Sequence, residues 1–402
     1  MTALILTAML SAEPVSGAPL FIVETTGGTA KIGQIDTLSD RFAVVLNQPA
    51  ARVAEGEFVA LHRADVPRPP RPSGSTLELA NGDSYVLEAN LGGDEATAKF
   101  TVKLTGTGDS AALSVPLASL RAVWFGDAAT PSQRNFDWLD TSKKQDALLL
   151  RNGDVIPGVL AQFADTGAVQ FIRKGDAQPT RYAPTALAAL VLDCTVPKPP
   201  KATTARLVLL NGTRLTAKNV SIANGLVQGV GKLGMKFTLP LAQLHSVDVD
   251  QGNSVDLTTL KPKAVTYEPY GGIEWPMQLN RSNKLGALLL KTSLGEEQFD
   301  RGFGLHSQTT LTYVLDGKYQ RFEGLIGLNA HTGTQGHAEL SILVDGKEYA
   351  WSKTLAFDIS TGVQAISVPL LNAKELSLIV GYGKRGDVQD DVDLVQPRLI
   401  LK

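Results

Sequence analysis

The chain has 402 residues, which is too long for one ordinary hydrophobic core and predicts at least two domains. It carries 38 basic and 40 acidic side chains, so its formal net charge of −2 excludes the strongly basic surface that a nucleic-acid partner would require. Its single cysteine, Cys194, excludes an intrachain disulfide bond and is expected to be a small buried side chain.

The chain begins with a short apolar run from Ala3 to Leu10, which is followed by the small residues Ser16, Gly17 and Ala18. This order is typical of a secretory signal peptide, although no Lys or Arg precedes the run. We therefore predict a signal peptide over residues 1–18 and an exported protein, located in the periplasm, at the cell surface or outside the cell. A disordered or strand-forming N-terminus is the alternative. No later segment has the roughly 20 apolar residues that cross a bilayer, so no transmembrane segment is predicted.

A short segment of apolar residues that ends in Asn-Gly, which we call the Asn-Gly motif, recurs at 77–82, 148–153 and 207–212. Asn-Gly between apolar runs predicts a β-hairpin, because both residues tolerate the positive φ of a type I′ turn. Each copy ends in an apolar segment around a proline, such as Val115-Pro116-Leu117. We predict β repeats at 74–126, 145–195 and 203–250, with a fainter first copy at 19–66.

Units of this size bury little apolar surface as open sheets, so each repeat is expected to curl into a small SH3-like or Sm-like barrel. The repeats would serve as spacers or as protein-interaction modules. The proline-rich stretches Pro67–Pro72 and Pro197–Pro200 are predicted to be extended, semi-rigid spacers. The stretches 127–146 and 250–264 are predicted linkers.

Beyond residue 262 the pattern changes to seven or eight short apolar stretches separated by turn residues, which predicts a β-sandwich over residues 262–402. Within it, Gly302-Phe303-Gly304 places glycines on both sides of an aromatic residue, as where a strand passes close to another backbone. Tyr313 and Phe322 alternate with apolar neighbours and are expected in the core. The predicted fold class is therefore all-β, with small barrels followed by a jelly-roll sandwich.

Several motifs of this last third occur in the order of a known family: Gly302 to His306, Tyr313 before Asp316-Gly317, Phe322 before Gly327, Asp345-Gly346, and Asp390 to Leu394. On these residues the region resembles the NPCBM/NEW2 domains, a family of carbohydrate-binding modules found in secreted proteins. The resemblance implies a jelly-roll sandwich related to galactose-binding domains. It also implies glycans or polysaccharides as partners, with terminal galactosides as the first ligands to test.

Sugar recognition needs an aromatic plane that stacks on a pyranose, together with fixed polar groups that meet its hydroxyls. The C-terminal third offers both. The predicted ligand-binding residues are Trp275, His306, Asn329, His331, Trp351, Tyr382 and Arg385. A structural role remains open for His306, as a buried imidazole bonded to a neighbouring strand or carboxylate, and for Tyr382, as a ring that closes the core. The polar, glycine-rich segment 329–336 is the best candidate for a binding loop.

Three closely spaced carboxylates, Asp390, Asp391 and Asp393, offer the hard oxygen ligands that Ca²⁺ prefers, and a structural calcium site is predicted there. The alternative is a solvated loop in which Asp393 pairs with an arginine such as Arg301 or Arg321. No other cofactor is predicted. Members of the family usually carry His and Trp where this chain has Asp391 and Leu394, so the resemblance leaves open a different ligand or none.

The sequence contains no nucleophile elbow, HExxH, P-loop or CxxC motif. We therefore predict a non-catalytic, exported protein that binds glycans through its C-terminal sandwich. The alternative is a structural or scaffold protein whose sandwich has lost sugar binding.

Overall fold

The computed structural model describes residues 17–106, 110–129, 134, 136, 138–139, 144–194, 202–284, 286–350 and 355–402. Almost all regular structure in these ranges is β-strand, which confirms the all-β prediction. The short 3-10 helices are Leu117–Ser119, Gly126–Ala128, Pro184–Ala186, Leu241–Gln243, Leu257–Thr259 and Tyr270–Gly272. Most of the predicted signal peptide, the spacer Pro197–Pro200 and Trp351 lie outside the described residues. Among the described residues, no helix has the length and apolar character needed to span a membrane.

The N-terminal part contains four five-stranded repeats. The first has β1 (Leu20–Thr25), β2 (Lys31–Leu38), β3 (Val44–Asn47), β4 (Ala50–Val53) and β5 (Phe58–Arg63). The second has β6 (Thr76–Leu79), β7 (Ser84–Gly93), β8 (Thr97–Lys103), β9 (Ser110–Pro116) and β10 (Leu120–Trp124). The third has β11 (Asp146–Leu150), β12 (Val155–Phe163), β13 (Val169–Arg173), β14 (Thr180–Tyr182) and β15 (Leu187–Val191). The fourth has β16 (Thr204–Leu209), β17 (Arg214–Ala223), β18 (Leu226–Gly231), β19 (Lys236–Pro240) and β20 (Leu244–Asp250).

The Asn-Gly motifs form hairpins as predicted, but their turns are not of the predicted type. The amide of Gly82 donates to the carbonyl of Leu79 at 2.9 Å. Gly82, Gly153 and Gly212 have φ of +89°, +93° and +89°, whereas the asparagines before them are not in the left-handed region. The prediction of a type I′ turn is therefore wrong. Each hairpin has a type I turn followed by one left-handed glycine, a geometry that asks for positive φ at a single residue.

In every repeat the first strand pairs with both the second and the fifth, so the strands close on themselves as small barrels do. The repeats then join in pairs through their last strands. Strand β5 pairs with β20, and β10 pairs with β15. One continuous hydrophobic cluster runs through all four repeats. They therefore form one body in which the first repeat pairs with the fourth and the second with the third.

The described residues of the predicted linker 127–146 pack against this body. Phe136, Trp138 and Leu139 cover the outer face of the β10–β15 pair, where Trp124 is fully buried. The guanidinium of Arg134 lies 5.0 Å from the centroid of the Trp124 ring. Burial of the large aromatic side chains stabilises this docked position.

The C-terminal part is a sandwich of two antiparallel sheets. Its strands are β21 (Ser254–Asp256), β22 (Ala264–Tyr267), β23 (Gln278–Leu279), β24 (Leu288–Thr292), β25 (Gly295–Phe299), β26 (Gly302–Leu305), β27 (Thr309–Val314), β28 (Tyr319–Leu328), β29 (His337–Val344), β30 (Lys347–Glu348), β31 (Leu355–Asp358), β32 (Gln364–Pro369), β33 (Glu375–Tyr382) and β34 (Val392–Leu401). One sheet has the order β23-β26-β34-β28-β32, with β21 also on β34. The other has the order β22-β27-β33-β29-β30, with β31 also on β29. Strands β24 and β25 form a separate hairpin.

Tyr313 and Phe322 lie in the core between the two sheets, as predicted. Strand β21 comes from the stretch 250–264, which was predicted to be a linker, and pairs with β34 from Ser254 to Asp256. Part of that stretch therefore belongs to the sandwich.

The sandwich packs on the β5–β20 pair through buried ion pairs. The carboxylate of Asp300 lies 2.8 Å from Nε of Arg214, 3.0 Å from Nε of Arg71 and 3.4 Å from Nη2 of Arg68. Burial by itself would raise the pKa of Asp300, but the three guanidiniums hold it well below its usual range. Arg214 also donates to the carbonyl of Pro69 at 2.7 Å. The stretch Pro67–Pro72, predicted to be an extended, semi-rigid spacer, is thus held between the two parts of the molecule.

Two further arginines of the sandwich extend this interface. Arg301 bonds to Asp250 at 2.5 Å and to Asp256 at 2.8 Å. Arg398 bonds to Glu24 at 2.5 Å and to Asp248 at 2.6 Å. The charged groups line a cavity of about 40 Å³.

Candidate functional site

Three neighbouring strands of the first sandwich sheet end together and carry polar residues there. Strands β26 and β28 both pair with β34, and the last residue of each lies opposite Val392. His306 follows β26, Asn329 follows β28 and Asp391 precedes β34. The antiparallel register therefore brings these three residues to one end of the sheet.

A chain segment crosses β26 at Gly304 and adds further residues to this end. A Cβ atom at Gly304 would lie 2.5 Å from the carbonyl carbon of Ser282, so the crossing requires glycine. Nδ2 of Asn283 then donates to the carbonyl of Trp275 at 3.1 Å. This contact holds the loop that carries Trp275 close to the segment that carries Lys284.

Trp275, Lys284, His306 and Asp391 form one group, which we call the Trp275 cluster. The half-exposed Trp275 ring lies 6.1 Å from the imidazole of His306, with 32° between the ring planes. Nζ of Lys284 lies 4.0 Å from the centroid of the Trp275 ring and 3.4 Å from Oδ1 of Asp391. Burial lowers the pKa of His306 and the charge of Lys284 lowers it further, so the imidazole is neutral at pH 7.

Buried polar atoms without a hydrogen-bond partner of ordinary geometry are concentrated in and beside this cluster. Among the described residues they include both ring nitrogens of His306 and Oδ1 of Asn283. The other buried polar groups there face partners in or beside the cluster: Ser307 interacts with Asp390, Ser282 with Asp393, and Oδ1 of Asp391 lies 3.4 Å from Nζ of Lys284. An unpaired buried polar group costs about 1–3 kcal/mol, so native structures hold few of them. The unpaired imidazole of His306, together with the other buried polar side chains next to a half-exposed tryptophan, makes this end of the sandwich the strongest candidate for a ligand site.

Asn329, a predicted ligand residue, is already engaged by the protein. Its Nδ2 donates to the carbonyl of Ala287 at 3.0 Å and to Asp393 at 2.7 Å, and its Oδ1 accepts from the amide of His331 at 3.0 Å. Asn329 is also fully buried. A ligand would have to replace one of these bonds to reach it.

His331 and Arg385 lie at the edge of the site. His331 is exposed, and its Nε2 lies 3.2 Å from a carboxylate oxygen of Glu296. Nη1 of Arg385 donates to a carbonyl of the loop 329–336 at 3.1 Å. That loop is packed against Gln389, whose Oε1 accepts from the amide of Gln335 at 2.9 Å. The glycines of the loop thus serve close packing, and the loop is more firmly held than its composition indicates.

The three carboxylates of the predicted calcium site have separate partners. Asp390 accepts from the amide of His337, Asp391 from the hydroxyl of Thr332, and Asp393 from the amide of Leu289. In the described ranges, no group of three or more His, Cys, Asp or Glu side chains is arranged to hold a metal ion. The donor set therefore does not fit one calcium ion. Arg301 and Arg321, the arginines named in the alternative, bond to other carboxylates, so neither pairs with Asp393.

Tyr382 ends β33 and is half-buried, with its ring 5.9 Å from that of Tyr270.

The residues that sequence reasoning missed are Lys284 and Ser307. No local pattern distinguishes Lys284, because the crossing at Gly304 is what places it over the Trp275 ring. Ser307 had a usable signal, since it directly follows His306 in the family motif.

The carboxyl of Asp393 leads to a pH prediction. Burial raises its pKa to about 7, against the hydrogen bonds from Leu289, Asn329 and Ser282, which favour the charged form. The folded chain keeps this proton up to about pH 7 whereas the unfolded chain releases it near pH 4, so folding becomes less favourable as the pH rises through that window. Asp393→Asn keeps an oxygen for Leu289 and Asn329. From pH 5 to pH 8, its free energy of unfolding should rise relative to the unmodified chain by roughly 2–3 kcal/mol.

Equilibrium urea denaturation at the two pH values measures this difference. Asp176→Asn, at an exposed position paired with Arg173, is the control and should leave the pH profile unchanged. Parallel profiles for the unmodified chain and Asp393→Asn would contradict the prediction.

Comparison with known proteins assigns the part of the chain that carries the Trp275 cluster to a family. Residues 248–400 match the family described as the NPCBM/NEW2 domain. The C-terminal third of the chain is an NPCBM/NEW2 domain. No curated protein matches the chain.

Solved structures similar to the chain contain CBM51 modules. CBM51 from Clostridium perfringens GH95 in complex with methyl-galactose is 23% identical, with 36% of this chain and 99% of that chain covered and a TM-score of 0.32. The structure of CBM51-2 in complex with GlcNAc and INT domains from Clostridium perfringens ZmpB is 19% identical. The match covers 44% of this chain and 36% of that chain, with a TM-score of 0.33. The tandem CBM51 modules of Sp3GH98, the family 98 glycoside hydrolase from Streptococcus pneumoniae SP3-BS71, are 11% identical. The match covers 82% of this chain and 88% of that chain, with a TM-score of 0.33. The chain thus spans about a third of the ZmpB structure.

The NPCBM domain of this chain departs from the usual family motif at Asp391 and Leu394, and the two positions differ in consequence. Leu394 is fully buried opposite Phe303, where it contributes to the packing of the domain. Of the two positions, only Asp391 lies in the Trp275 cluster, beside Lys284.

Proposed function

We propose that this protein binds glycans through the Trp275 cluster of its NPCBM domain, with galactose-type termini as the first ligands to test. The observation that carries the proposal is a group of buried polar side chains beside a half-exposed tryptophan, in which both ring nitrogens of His306 lack a hydrogen bond of ordinary geometry. A pyranose offers a C–H face for the indole ring and hydroxyl groups that both donate and accept hydrogen bonds. The match to the NPCBM/NEW2 family supports the same class of ligand.

Lys284 controls access to the cluster in this proposal. Its ammonium group lies over the Trp275 ring and beside Asp391, and the ring nitrogens of His306 in the same cluster are shielded from solvent. A sugar reaches His306 and Asp391 when the lysine side chain swings outward and sugar hydroxyls take its place. The long, flexible stem of lysine makes this movement easy.

The proposal includes export and the absence of catalysis. The N-terminal repeats act as the support on which the glycan-binding domain is mounted. Incubation of the full chain with aryl galactosides tests the non-catalytic part, and release of the aryl alcohol would contradict it. Detection of the chain in the periplasmic, surface or culture-medium fraction of expressing cells tests export.

Replacement of Trp275 tests the binding function. On a glycan array, with and without added calcium, Trp275→Ala in the full chain should lower the affinity for the best-bound glycan about 10-fold or more, because it removes the stacking plane. Trp275→Phe should retain most of the binding.

Leu371→Ala is the control, because it shortens an apolar side chain that is 81% exposed at a position outside the cluster. Unchanged binding by Trp275→Ala would place the site elsewhere. Failure of the unmodified chain to retain any glycan would reject the proposed function and favour the scaffold alternative.

A further inference from the structure

We infer that Tyr270 and Tyr382 form a second saccharide subsite beside the Trp275 cluster, so that the ligand is an oligosaccharide of at least two units rather than a single sugar. This inference rests on the proposed function and specifies the size of its ligand. It assigns a role to an exposed aromatic pair that the Trp275 cluster does not use.

The two tyrosine rings present an open aromatic surface. Tyr270 is 59% exposed, and Tyr382 is half-buried at the end of β33. Their centroids lie 5.9 Å apart with 78° between the planes, an edge-to-face contact that fixes both rings. Ile273 and Val388, in the adjoining loops, are also exposed and extend the apolar surface.

The loop that carries Tyr270 is held in place before any ligand arrives. Tyr270 follows Pro269 and begins a 3-10 helix whose next two residues are left-handed glycines, with φ of +60° and +80°. The amide of Ile273 donates to the carbonyl of Tyr270 at 3.2 Å, and the hydroxyl of Tyr267 donates to the carbonyl of Ile273 at 3.3 Å. A fixed ring loses little conformational entropy on binding, as a stacking platform requires.

The tyrosine pair is continuous with the Trp275 cluster. Tyr270 and Trp275 lie in one loop, five positions apart. Asp387 lies in the segment between β33 and β34, five positions after Tyr382 and three before Asp390 beside the cluster. Its carboxylate offers an acceptor for hydroxyl groups at the junction. A glycan with its terminal unit on Trp275 can therefore extend onto the tyrosines.

Titration calorimetry of the full chain with methyl β-galactoside and with lactose tests the second subsite. The unmodified chain should bind lactose more tightly than methyl β-galactoside. Tyr270→Ala should weaken lactose binding about 3- to 10-fold and leave methyl β-galactoside binding unchanged, because only the second unit reaches the tyrosines. Tyr270→Phe keeps the ring and should bind lactose as the unmodified chain does.

The outcomes separate the two proposals. Lack of binding of both probes by the unmodified chain overturns the galactose-type function, and the subsite with it. Binding of both probes with the same affinity, or equal weakening of both by Tyr270→Ala, overturns the subsite alone. A concentration-dependent dimer in sedimentation velocity that Tyr270→Ala abolishes also overturns it, because the pair would then be a contact between copies of the chain.

Discussion

Asp300→Ala is expected to lower the free energy of unfolding of the full chain by about 3–5 kcal/mol, the range typical of removing one partner from a buried ion pair. Asp300 is the carboxylate shared by Arg68, Arg71 and Arg214. Burial lowers the pKa of Arg214 to about 10 even with Asp300 present, so this guanidinium is poorly solvated. Without the carboxylate, three positive charges face one another between the repeats and the sandwich.

Equilibrium urea denaturation followed by circular dichroism measures the change. Asp176→Ala is the matched control, because it removes the carboxylate of an exposed pair with Arg173 and should cost less than about 1 kcal/mol. Equal effects of the two substitutions would show that Asp300 does not stabilise the interface. The expected difference would establish that the ion pairs of Asp300 hold the NPCBM domain against the repeats.

The local features of the fold were predictable because they depend on residues close together in the chain. Each of the three Asn-Gly motifs forms a hairpin, since a tight chain reversal needs a residue that accepts positive φ. The type I′ prediction was wrong because sequence does not distinguish two adjacent left-handed residues from a single left-handed glycine after a type I turn. The core positions Tyr313 and Phe322 follow from alternation alone, and the structure confirms both.

Long-range contacts decided the features that sequence could not predict. Arg68 and Asp300 are 232 positions apart, and neither lies in a local pattern that indicates the other. The stretch 67–72 reads as a spacer because proline predominates, yet it is held by Asp300 and Arg214, which lie far away in the chain. The site also contains residues of both kinds. His306 was predictable because it belongs to a sequence motif, whereas Lys284 reaches the cluster only through the crossing at Gly304.

Gly304→Ala is expected both to destabilise the protein, by about 1–3 kcal/mol or more, and to abolish glycan binding. The added Cβ would meet the carbonyl oxygen of Arg281, the carbonyl carbon of Ser282 and the amide of Asn283. All three are backbone atoms, so no side-chain rotation relieves the overlap. The crossing segment must move away from β26.

This displacement connects the family motif to the site. Segment 281–283 leads into Lys284 and bonds to the loop of Trp275, so a shift at the crossing separates both residues from His306. Urea denaturation and glycan-array binding of the full chain measure the two effects. Gly56→Ala is the control, because a Cβ there meets no atom within 4 Å. Full glycan binding by a destabilised Gly304→Ala would mean that the sugar is held away from Trp275 and Lys284, whereas a loss of both properties would mean that this glycine maintains the fold and the site through one close contact.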